Sequence, residues 1–75
     1  MIKELDTIVL LRDLPEHGLV KGDVGAVVHV YKDRKAFEVE FVRAAGTTVA
    51  VVTLDSVDVR PLDGAEILHA RKFAS

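Results

Sequence analysis

Hydrophobic and polar side chains alternate most regularly at Phe37-Glu38-Val39-Glu40-Phe41. A period of two puts the apolar side chains on one face and the carboxylates on the other, which predicts a half-buried strand from Ala36 to Val42. The stretch from Gly25 to Tyr31 carries the same period in weaker form. It sets Ala26, Val28 and Val30 on one face and Val27, His29 and Tyr31 on the other. Lys32-Asp33-Arg34-Lys35 joins the two strands as a charged turn without glycine, which suits a four-residue loop built on a type I turn. Pairing Tyr31 with Ala36 sets Val30 opposite Phe37, Val28 opposite Val39 and Ala26 opposite Phe41. His29 then faces Glu38, and Val27 faces Glu40. A slip of one residue would bury the glutamates, so this register is strongly specified.

The rest of the chain reads outward from that hairpin. Residues 1–6 are a lead-in. Thr7-Ile8-Val9-Leu10-Leu11-Arg12 is apolar on both faces and predicts a first strand covered on two sides. Pro15 opposes helix at Leu14, so Asp13 to Gly22 is a loop, with Leu19 and Val20 folded back on the core. Gly18 and Gly22 suit positive φ. Arg43-Ala44-Ala45-Gly46 closes a second hairpin with Gly46 left-handed. Thr47 to Leu54 is a fourth strand with two possible registers. A two-residue turn turns Ala50, Val52 and Leu54 inward; a three-residue loop turns Val49 and Val51 inward. Asp55-Ser56 breaks the strand as a 3₁₀ turn, and Val57 to Arg60 forms a fifth strand ended by Pro61. Asp63-Gly64-Ala65-Glu66 carries the side chains of a helix start. A helix of ten residues is marginal alone, so 63–75 is either a short helix or a tail.

Composition narrows the class. Seventy-five residues make one domain, which buries only about 60% of its unfolded surface. The chain has no cysteine, so neither disulfides nor a thiolate metal site support it, which fits a cytoplasmic setting. The acidic, non-apolar N-terminus predicts no signal peptide, and no apolar run reaches the roughly 20 residues of a membrane span. Ten basic and twelve acidic residues give a net charge of −2, without the basic excess of a general nucleic-acid binder. Hydrophobic residues form 49% of the chain. So small an interior leaves some of them on the surface, and a sizeable exposed apolar patch marks an interface.

Five short strands, a long first loop and a 3₁₀ turn before the last strand resemble a small all-β, SH3-like barrel over residues 1–62. Further motifs occur in order: Glu4-Leu5-Asp6-Thr7-Ile8-Val9-Leu10-Leu11, Leu14-Pro15-Glu16-His17-Gly18-Leu19, Gly22-Asp23-Val24-Gly25, Tyr31, Phe37-Glu38-Val39-Glu40-Phe41 and Thr53-Leu54. With these the chain resembles the bacterial family of domain of unknown function 4926 over about residues 3–62. The resemblance implies an SH3-like fold and no established chemistry. Some relatives look like the small partner of a toxin-like protein, which implies an antitoxin or immunity role. Gly-Asp-Val-Gly-Ala-Val-Val also resembles the KOW element of ribosomal and transcription-factor barrels, which implies a nucleic-acid module as the alternative.

Candidate chemistry is sparse. His17, His29 and His69 fall on loop, strand and tail without metal-ligand spacing, so no metal or cofactor is expected. Glu38 and Glu40 share a face, but no third group or pocket accompanies them, which reads as a solvated strand face rather than an acid–base pair. Gly22 to Gly25 opens a strand and lacks the Lys-Ser/Thr ending of a phosphate loop. Lys32, Arg34, Lys35 and Arg43 are candidates for a basic rim, diluted by Asp33, Glu38 and Glu40. No residue set fills the roles of an active site, so no enzyme is expected. The expected surface is a partner-binding one, comprising Val27, His29, Tyr31, Glu38, Glu40, Ile67, Leu68 and Phe73. Its partner is a protein, either a toxin-like neighbour or a second copy exchanging its tail.

Overall fold

The computed structural model describes residues 1–73. Five strands form one antiparallel sheet: β1 (Thr7–Leu10), β2 (Val24–Val30), β3 (Ala36–Val42), β4 (Thr48–Asp55) and β5 (Val59–Pro61). Their order is β4-β3-β2-β1-β5. Short 3₁₀ turns occupy Pro15–His17 and Ser56–Asp58. The fold is thus all-β with five strands, as the residue pattern predicts. Leu54 of one edge strand and Val59 of the other join a single buried cluster with Ile8, Leu10, Val39 and Phe41. The sheet therefore curls around one core, while its two edges remain unpaired with each other.

The hairpin of β2 and β3 departs from the expected register in one half. His29 pairs with Glu38 and Val30 with Phe37, as expected. Beyond a bulge, however, Val27 pairs with Val39 and Ala26 with Glu40. Val28 is the extra residue, and it lies 44% exposed while Val27 is fully buried. A bulge leaves one residue unopposed and reverses the inward parity of everything beyond it. Strict alternation cannot register that change. Gly25 consequently points inward, where an added Cβ would stand 2.6 Å from Val39 Cγ1 and 2.9 Å from Phe41 Cε1. Gly25 serves close packing, whereas Gly18, Gly22 and Gly46 take the expected positive φ.

A second bulge resolves the two readings of β4. Phe41 faces Ala50, Val39 faces Val52 and Phe37 faces Leu54, so the even-numbered residues turn inward. Val49 is the extra residue and packs partly against the core as well, and Val51 stands on the outer face. The first strand is shorter than expected, since Leu11 and Arg12 leave the sheet. Leu11 donates its N–H to the Asp58 carbonyl, and Arg12 Nε meets Asp58 Oδ1 at 2.9 Å. The following loop returns through a Leu14–Leu19 bridge whose side chains are both buried; Val20 is exposed instead of tucked in.

The cap at Asp63 forms without its helix. Ala65 N–H donates to Asp63 Oδ1, and Asp63 N–H donates to the Glu66 carboxylate. A single turn follows, and Ile67 to Phe73 run without regular structure. Arg60 takes the Glu66 carboxylate in a two-pronged pair with both N–O distances 2.6 Å, so the cap carboxylate is committed to β5. The last two residues of the expected tail lie outside the described residues.

Candidate functional site

The outer face of β2, β3 and β4 gathers His29, Tyr31, Glu38 and Glu40, half of the expected surface residues. The register aligns Ala26, Glu40 and Val51 in one row across the three strands, and His29, Glu38 and Thr53 in the next. Val28 at the bulge and Val51 are exposed apolar side chains on these strands, and Tyr31 extends the surface past the end of β2. The His29 and Tyr31 rings meet edge to face, with centroids 4.8 Å apart. His29 Nδ1 lies 3.8 Å from the Glu4 carboxylate. Glu38 accepts a hydrogen bond from Thr53 Oγ1, and Glu40 accepts one from Thr48 Oγ1 at 2.7 Å. The His29 and Glu38 backbones pair as expected, but their side chains take different partners. Both carboxylates are braced across to β4, which holds them as fixed acceptors along the face.

Val27 is not on this surface. The bulge turns it into the core, and Val28 takes its place outside. Ile67 and Leu68 lie far from the β2 face along the chain, on the tail, and are 94% and 65% exposed. Phe73 packs within its own chain, with its ring edge 3.1 Å from where a Gly18 Cβ would stand. The eight expected residues therefore divide into an outer strand face, a core residue and a tail.

β4 also forms a sheet edge. Among the described residues its strand pairing is to β3 alone. It runs eight residues, Thr48 to Asp55, without proline or lysine. Natural edges are ordinarily short or carry charge or proline. β5, at the opposite edge, is three residues long and ends in Pro61.

The tail builds a second feature. Arg71 donates from Nε and Nη2 to the two Asp23 carboxylate oxygens, at 2.8 and 2.6 Å, and from Nη2 to the Gly18 carbonyl at 3.0 Å. The guanidinium carbons of Arg43 and Arg71 lie 5.1 and 5.9 Å from the centre of the Phe73 ring. Between the tail and the hairpin of β3 and β4 runs a groove of about 640 Å³, walled by Leu19, Phe41, Val42, Val49, Leu68 and Phe73 among others. Burial pushes the Asp23 carboxyl up, but hydrogen bonds from Arg71 and the Val20 N–H outweigh it, and the net shift is downward. The Arg60 hydrogen bonds, with that of the Asp63 N–H, hold Glu66 down to about 2. Arg71 and Asp23 carry no sequence signal as a pair: 48 residues separate them.

The expected basic rim is divided. Lys32, Arg34 and Lys35 sit before β3 and Arg43 after it, about 26 Å or more apart along the chain at the rise of a strand. No group of three or more His, Asp or Glu suited to a metal ion occurs among the described residues. No helix there is long and apolar enough to cross a membrane.

This small antiparallel sheet belongs to a family already marked by its motifs. Residues 4–61 match the family described as domain of unknown function (DUF4926), and the chain is a member of it. The match spans all five strands and stops at Pro61, before the tail. Comparison with the curated proteins and with the solved structures finds no match to either.

Proposed function

We propose that this chain is a non-catalytic protein-interaction module of the cytoplasm that receives its partner on β4 and the adjoining outer face. The observation that carries the reading is the contrast between the two sheet edges. β5 is short and ended by proline, while β4 offers an eight-residue edge without proline or lysine, with a bulge at Val49 and a single charge at its end, Asp55. A partner strand laid along β4 gains main-chain hydrogen bonds, and side chains on one face of the junction supply selectivity. Val51 adjoins that junction, with the braced Glu38 and Glu40 beside it and Val28, His29 and Tyr31 further across. The proposed partner is a toxin-like protein encoded nearby, for which this chain acts as antitoxin or immunity protein by covering its working surface.

The test is co-expression of the full chain with the product of the adjacent gene, followed by size-exclusion chromatography. A stable complex is expected, lost on Val51→Lys, which places a charge beside the junction, and weakened by Tyr31→Ala. Both side chains are exposed, so urea midpoints stay near wild type. Absence of a complex, or one indifferent to both substitutions, overturns the proposal.

A further inference from the structure

The geometry points to a second docking site, the surface beneath the tail formed by Asp23, Gly18 and Arg43, whose occupant is the C-terminal tail of another copy of this chain. The site reaches β4 only at Val49, beside the hairpin, away from Val51 and the outer face, and is independent of the reading above. Its chemistry is specific. Asp23 offers both carboxylate oxygens to one guanidinium, and the Gly18 carbonyl takes a further donor. Planar two-pronged recognition of this kind selects arginine over lysine. Two residues on, an aromatic ring covers Gly18, whose missing side chain leaves the space it needs. Arg43 stands over the same ring. This surface is thus a receptor for an extended segment with arginine and an aromatic ring two residues apart, and the tail supplies that segment.

The connection to the sheet allows the tail to come from either copy. Beyond the Asp63–Glu66 turn the backbone has no regular structure to break. Ile67 and Leu68, at this hinge, are among the most exposed apolar side chains of the molecule. Their own chain leaves them uncovered, whereas two copies exchanging tails bring two such hinges together. Every clasp contact is kept on exchange, so the reciprocal dimer costs little beyond association itself.

Sedimentation of the full chain over a concentration series tests this. A reversible shift from monomer to dimer mass is expected by about 1 mM, the effective concentration against which a short tether competes. Arg71→Ala with Phe73→Ala removes the tail's contacts, and Asp23→Asn weakens the receptor. Each variant alone stays monomeric, and mixing the two restores a heterodimer, because one retains an intact receptor surface and the other an intact tail. Circular dichroism of each variant verifies that the sheet is kept. Val51→Lys leaves this dimer unchanged, which separates it from pairing at β4. A wild type monomeric throughout, a variant that dimerises like wild type, or a mixture of folded variants that stays monomeric overturns the inference; the wild-type series decides even where a variant does not fold.

Discussion

At the scale of single residues, Gly25 is the position where the fold has least freedom. An added Cβ would meet Val39 Cγ1 at 2.6 Å, Phe41 Cε1 at 2.9 Å and the Glu40 carbonyl at 3.0 Å. One of the three is backbone, and the other two belong to buried side chains that have nowhere to move. Overpacking a dense core costs about 1–3 kcal/mol, and a branched side chain lies at or above the top of that range. Gly25→Val is expected to lower the urea midpoint more than alanine at His17 or His29, each worth within about 0.5 kcal/mol as an exposed side chain. Equal losses would show that β2 yields at this point. The glycine itself was legible in the sequence as a strand entrance. Its reason was not, because which side chains crowd it depends on the register of β3.

At the scale of elements, two bulges decide what each strand presents. Val27 and Val28 are identical in chemistry and adjacent in sequence. One is buried opposite Val39 and the other is left over at the bulge. Threonine is nearly the same size as valine but carries a hydroxyl that needs a partner. Val27→Thr is therefore expected to cost about 1–3 kcal/mol in chemical denaturation, the cost of an unpartnered buried hydroxyl. Val28→Thr is expected to stay within about 0.5 kcal/mol. The opposite ranking would match an unbroken alternation through β2. The β3 pattern was legible in full because Glu38 and Glu40 forbid the alternative face. Alanine and valine in β2 and β4 tolerate either face, so their placement had no sequence signal.

At the scale of the whole molecule, the tail is held to the sheet by two arginine–carboxylate clasps, Arg60 with Glu66 and Arg71 with Asp23. Both carboxyl groups lie below their ordinary values in the folded chain. A depressed carboxyl contributes stability that is present above its ordinary value and lost as pH falls through the folded one. For Glu66 that window runs from 4.5 down to about 2. Acidification through it is expected to release the tail while the β1–β5 sheet persists. Tail amides would lose NMR dispersion before those of β3. Arg60→Ala is expected to move the Glu66 titration upward toward its ordinary range; an unmoved midpoint would exclude Arg60 as the cause. The cap residues at 63 and 66 were legible as a local turn, but the distant arginine that claims Glu66 was not.

Local chemistry alone determined the all-β class, the strand count, the left-handed glycines and the orientation of β3, because alternation, turn geometry and charge act between near neighbours. The family motifs extended that reading over about residues 3–62, and the family match spans 4–61. Only the folded chain decided that Val27 lies inside and Val28 outside, that β4 is an edge strand, and that Arg71 crosses 48 positions to reach Asp23. These depend on bulges, strand order and long-range ion pairs, which follow from the packing of segments remote in sequence.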